Sequence, residues 1–144
     1  MKTVNPDIEK LPEILNNLPT GVPVVMINLL KFRDAAAYPK GSDAAPCSGR
    51  KAYERYSRVA LNKVIEVGGR PIWAGEGLGS IIGPEEEGWD EAILVRYPSV
   101  EAFVSMLGMP EYQAVTIHRT AALEDSRLIA TREVAGFQLD FAEK

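Results

Sequence analysis

One cysteine and one histidine in 144 residues leave little room for metal or redox chemistry. With Cys47 alone, neither an intramolecular disulfide nor a cysteine-rich zinc site can form. A lone thiol suits a reducing compartment, so a cytoplasmic protein is expected. His118 has no second histidine at HxH or HxxxH spacing, which excludes a zinc set and a facial triad. No metal or other cofactor is expected, and haem held by His118 alone is the distant alternative. The N-terminal MKTVNPDIEKLPEIL lacks the apolar core of a signal peptide, and no stretch reaches the roughly 18 apolar residues of a membrane span. Lys and Arg total 16 against 20 acids and form no basic stripe, so neither nucleic acid nor membrane is an expected partner. GxSxG and GxxxxGK[ST] are both absent, which removes the serine-hydrolase elbow and the phosphate loop.

What the chain does contain is a run of regular elements. Asn5-Pro6-Asp7 has the form of a helix start, and Ile8, Leu11, Ile14, Leu15 and Leu18 follow at helical spacing. Val22 to Phe32 is a strand apolar on both faces, so both faces need cover. Arg33 to Ser48 is a long connection, read as a lid, a dimer arm or a surface insertion. Ser48 can cap a helix from about Arg50 to Val67, which Gly68-Gly69 stops. A glycine-bent strand is predicted over Arg70 to Ile82, with Trp73 and Glu76 on opposite faces. The acidic Glu85-Glu86-Glu87 loop then leads to a third strand, Ala92 to Tyr97. Ser99 opens a helix that pauses at Gly108-Met109-Pro110 and resumes to Ala122, and Ser126 to Glu133 is the last strand. Phe137, Leu139 and Phe141 alternate in the tail, as in an edge strand or a dimer arm.

The order is helix, β, α, β, β, α, β, tail, whose centre is the ferredoxin-like βαββαβ unit of an α+β protein. One domain, 1–144, is expected, with core 22–132, an appended helix 1–21 and a tail 133–144. Four antiparallel strands with helices on one side leave the other sheet face bare. A second copy of the chain is the simplest cover, so a homodimer through the sheet face is predicted.

Ile27 to Phe32 (INLLKF), Tyr53 to Tyr56 (YERY), Gly68-Gly69, Trp89-Asp90, Arg96 to Ser99 (RYPS), Pro110 to Ala114 (PEYQA), His118-Arg119 and Asp125 to Leu128 (DSRL) together carry a resemblance. The chain resembles domain-of-unknown-function family 1330, within the dimeric α+β-barrel superfamily, over roughly Val22 to Thr131. The resemblance implies a dimer whose two sheets face each other, with a pocket in each subunit between sheet and helices. It implies no reaction, since the superfamily includes cofactor-free monooxygenases, isomerases, dehydratases and haem enzymes. The N-terminal helix and the loop after Phe32 exceed the family's minimal unit, and the tail after Thr131 has no counterpart in it.

The candidate site comes from helix geometry. Tyr112, Val115 and Arg119 share one helical face, and His118 flanks it, so both His118 and Arg119 can border one cavity. Arg119 is suited to holding a carboxylate or enolate oxygen, and His118 to exchanging a proton. Asn28 and Tyr112 would orient the substrate, and Tyr56 and Trp73 would line the pocket. Each residue also has a purely structural reading. Arg119 pairs with Asp90, Glu76 or Asp125; His118 is a satisfied structural or surface histidine; Asn28 stitches strand to loop; the aromatics are core; Lys31 snorkels; Cys47 is a free thiol. Two functions stay open. One is a cofactor-free enzyme of oxygenase, isomerase or dehydratase type, acting on a small carbonyl, phenolic or acidic compound. The other is a non-catalytic binding or structural dimer.

Overall fold

A computed structural model of the chain describes residues 1–136, so the alternation at Phe137, Leu139 and Phe141 lies outside the described residues. The elements run α1 (Leu11–Asn16), β1 (Val24–Phe32), α2 (Gly49–Glu66), β2 (Arg70–Glu76), β3 (Glu91–Tyr97), α3 (Val100–Leu107), α4 (Pro110–Ala122) and β4 (Leu123–Thr131). The strands form one antiparallel sheet in the order β2-β3-β1-β4. That order, with both crossover connections helical, is the ferredoxin-like arrangement of an α+β protein.

Local chemistry explains most boundaries. Ser48 Oγ accepts a hydrogen bond from the Lys51 amide at 3.1 Å, and Ser99 Oγ accepts one from Ala102 at 3.1 Å, so each hydroxyl caps its helix. Gly68, at φ +87, stops α2 in a conformation that side chains resist. Gly49 opens α2 where the long loop returns, and a Cβ there would collide with the Arg33 carbonyl oxygen.

Three boundaries differ from expectation. Helix α1 starts at Leu11, with Lys10 in the capping position and no side-chain cap. The segment before it is engaged elsewhere, since the Thr3 carbonyl accepts from the Ser126 amide and Asn5 Oδ1 accepts from Thr120 Oγ1. Strand β2 ends at Glu76, where the Gly77 amide turns to the Asp90 carbonyl, and Leu78, Ile81 and Ile82 beyond it are exposed. Strand β4 starts at Leu123, directly after α4, without the connecting turn expected before Ser126.

Along β1 the two faces separate. Val24, Met26 and Leu30 are buried beneath the helices, whereas Val25, Ile27 and Leu29 are only half-buried. Register places Ile27 between Leu94 of β3 and Ile129 of β4, and Trp73 of β2 beside Leu94. The centre of this second face is apolar, with Arg70, Arg96 and Arg127 towards its ends; it lies outside both core clusters, and Trp73 and Ile129 remain 55% and 47% exposed on it. The buried core is itself divided. Val24, Met26, Ala60, Val64, Tyr97, Val100, Phe103, Met106 and Tyr112 make one cluster. Leu30, Ala52, Ala122 and Leu123 make the other.

Candidate functional site

Asn28 marks the division. It points to the helix side of β1 between Met26, in the first cluster, and Leu30, in the second. On α2, Tyr56 packs against the first cluster and Tyr53, one turn earlier, against the second. Tyr56 Oη lies 2.8 Å from Tyr112 Oη of α4, and the two rings meet edge to face at 5.9 Å. The Tyr53 and Tyr56 rings are 5.3 Å apart. A polar seam of phenols and one amide therefore runs through what would otherwise be a continuous apolar layer.

The electrostatics of the seam follow from burial. Desolvation raises the Tyr53 hydroxyl to about 12; the Arg119 charge opposes this, while Tyr112 and Glu91 add to it. Burial, with Tyr112 and Tyr53 close by, also pushes Tyr56 up. Both phenols are protonated at neutral pH and act as donors or acceptors rather than bases. Asn28 Nδ2 donates to the Ile93 carbonyl at 3.3 Å, while its Oδ1 accepts nothing from a described residue. Among the described residues no buried side-chain nitrogen or oxygen lacks a partner, so Oδ1 reaches solvent-accessible space.

Arg119 borders the seam from α4. Its Nη1 donates to the Val4 carbonyl at 2.6 Å, and Val4 itself packs on the second cluster. None of the ion pairs among the described residues includes Arg119, so the pairing with Asp90, Glu76 or Asp125 considered above is not made. Two of those acids are used otherwise: Asp90 Oδ2 accepts from the Phe32 amide, and Asp125 Oδ1 accepts from Thr3, Ser126 and Arg127.

His118, the next residue back on α4, has different surroundings. Tyr38 of the long loop lies with Oη 2.7 Å from His118 Nδ1 and accepts from Arg55 Nη1 at 3.1 Å. Arg55 only donates, so Tyr38 Oη spends one acceptor position on it and shares one further hydrogen bond with His118 Nδ1. Burial and then the Arg55 charge hold His118 below the ordinary histidine value of 6.5. The loop is pinned over α2 and α4 by this chain and by Ala37, whose amide donates to Ala121 at 2.8 Å. The neighbours Tyr38 and Arg55 were not expected from the sequence. The one available signal was a lone aromatic in an Ala-, Pro- and Gly-rich loop.

Residues 47–133 match the model of a family described as a domain of unknown function (DUF1330). The chain belongs to that family. It is similar to the RPA0582 protein of unknown function from Rhodopseudomonas palustris, at 35% identity over 93% of this chain and 98% of that one, with a TM-score of 0.84. The methylated RPA0582 protein gives 36% identity over 94% and 98%, also with a TM-score of 0.84. A Bacteroides fragilis protein of unknown function, described as dimeric and ferredoxin-like, is 16% identical over 77% of this chain and 96% of that one, with a TM-score of 0.47. No curated protein matches the chain.

In this DUF1330 member the matched segment starts at Cys47, so β1 with Asn28 and the Tyr38 loop precede it. The remaining candidate residues lie apart from the seam. Trp73 belongs to the other sheet face, its indole folded back over Gly75. Cys47 is a half-buried free thiol whose carbonyl accepts from Ala36. A concavity of about 430 Å³ opens beneath the β2–β3 loop, lined in part by Lys31, Leu78, Glu85, Glu87, Trp89 and Asp90. It shares no residue with the seam and is mostly polar and open. Among the described residues no three of His, Cys, Asp and Glu converge as a metal site would require. None of their helices is long and apolar enough to cross a membrane.

Proposed function

We propose that this DUF1330 protein is a homodimer that binds a small organic molecule in the seam bounded by Asn28, Tyr53, Tyr56, Tyr112 and Arg119. The observation that carries the reading is the interruption of the core. A layer of Leu, Val and Phe would bury the same area without desolvating phenols, an amide and a guanidinium. Polar groups kept at such a place, several with hydrogen-bonding capacity unused, are expected where function opposes packing. Tyr112 and Asn28 would orient the ligand, Tyr56 would line its apolar side, and Arg119 would hold a polar oxygen. The bare sheet face of Val25, Ile27, Leu29, Leu94, Trp73 and Ile129 supports the dimer, since a second copy would remove that apolar area from water.

A metal-free reaction in the seam is the second reading. Arg119 beside protonated phenols supports it, because fixed donors in a dry site stabilise a developing oxyanion. His118 is not its proton carrier in this reading, as its Nδ1 is engaged with Tyr38 Oη and it lies beside the Arg55 charge rather than in the seam.

The test couples assembly to binding. Sedimentation equilibrium should give a dimer for the full chain and a monomer for Ile27→Lys combined with Leu94→Lys. A fragment screen by protein-observed NMR should give hits that perturb Asn28, Tyr56 and Tyr112, and these should weaken at least tenfold in Asn28→Ala. Hits that ignore Asn28→Ala, or that cluster only beneath the β2–β3 loop, would overturn the site.

A further inference from the structure

The charge balance of the seam restricts what it can hold. Arg119 is half-buried, belongs to no ion pair among the described residues, and spends one Nη1 proton on a neutral carbonyl, that of Val4. Besides the Val4 carbonyl, the guanidinium hydrogen-bonds with the Tyr53 hydroxyl, which is neutral. Nε and Nη2 form the edge that makes a side-on fork with two oxygens, and neither is both buried and unpartnered. The groups beside it do not neutralise it. Tyr53, Tyr56 and Tyr112 are phenols, and Glu91, the acid that acts on Tyr53, pairs with Arg50 at 3.9 Å.

A half-buried guanidinium with no counter-ion is a positive charge left unpaired, and a planar anion presenting two oxygens would pair it. We infer that the ligand of the seam is a small organic monoanion, a carboxylate or an enolate-type acid, bound side-on to Nε and Nη2 of Arg119 with its apolar body against Tyr53, Tyr56 and Tyr112. The inference rests on the seam being the ligand site. A cationic or polyanionic ligand does not fit, since one fixed positive charge is all the seam offers. Asn28 Oδ1 adds one acceptor, which suits a hydroxyl or N–H on the ligand's far side.

The test pairs acids with their neutral isosteres on the intact chain. Benzoate, 4-hydroxybenzoate and butyrate, and the corresponding primary amides, are titrated by protein-observed NMR at neutral pH. At least one acid should bind ten or more times tighter than its amide, with shifts at Tyr53, Tyr56 and Arg119. Arg119→Gln should abolish that preference and Arg119→Lys should keep part of it. The wild-type comparison of acid with amide decides the matter even if Arg119→Gln fails to fold. Acids and amides binding the seam equally would refute the anion while leaving the seam as a site. Acids favoured elsewhere, or favoured equally in Arg119→Gln, would refute the role of Arg119. No shift at any seam residue from any of the six compounds would refute both readings.

Discussion

The hydroxyl pair of Tyr56 and Tyr112 offers the sharpest test of how the seam is held. The two oxygens are 2.8 Å apart and Tyr112 is only 9% exposed, so water cannot freely replace a lost partner. Tyr56→Phe leaves the Tyr112 hydroxyl desolvated and unpaired, at a cost of about 1–3 kcal/mol, and Tyr112→Phe does the same to Tyr56. The double variant removes both polar atoms and keeps both rings in their edge-to-face contact, so it should cost little more than one single variant or less. The coupling energy should therefore be about 1–3 kcal/mol. Urea unfolding measures it from midpoints and slopes, at one protein concentration because a dimer's stability depends on it. Effects that add to within about 0.5 kcal/mol would mean that the hydroxyls do not depend on each other, and the account of the seam would fail. On the proposed function the double variant also separates stability from binding: it should fold well and lose ligand affinity.

Three further outcomes are expected. Gly49→Ala drives a methyl group against the Arg33 carbonyl and to 2.7 Å from that of Ala122, so thermal stability should fall by about 1–3 kcal/mol; an unchanged melting temperature would show that the loop ends do not converge there. His118 titrates below its ordinary 6.5, so the folded state binds its proton less readily than the unfolded state does. Its contribution is full above that value and is lost as pH falls through the folded pKa, and Arg55→Gln, which removes the opposing charge, should reduce this dependence in urea midpoints taken between about pH 8 and 5. For Asp125, burial works against ionisation but the Thr3 amide, Arg127 and the Ser126 amide outweigh it, so the carboxyl lies below its ordinary range and its contribution is lost only as acid protonates it. Asp125→Asn should loosen the N-terminal segment and speed hydrogen exchange at the Thr3 amide, and unchanged protection would contradict that anchoring.

Local sequence was enough for the order of elements, the helix caps and the presence of a bare apolar sheet face. These depend on short-range chemistry: a near-continuous apolar run in Val24–Phe32, hydroxyls at Ser48 and Ser99, a left-handed stop at Gly68 and the break before Pro110. Asn28, Tyr56, Tyr112 and Arg119 were legible as candidates for one site, but the polar seam that they form with Tyr53 was not. The rest was settled by packing, because each remaining choice rests on contacts distant in sequence. Asn5-Pro6-Asp7 does not cap α1, since residues near the start are drawn to Thr120 and Ser126. Trp73 leaves the company of Tyr56 because β2 shifts register between Pro71 and Trp73 and sets the indole on the opposite face. His118 and Arg119, adjacent in sequence, separate because Tyr38 takes one and Val4 the other. Helical spacing sets the direction in which a side chain leaves its helix; what waits there is supplied by other parts of the chain.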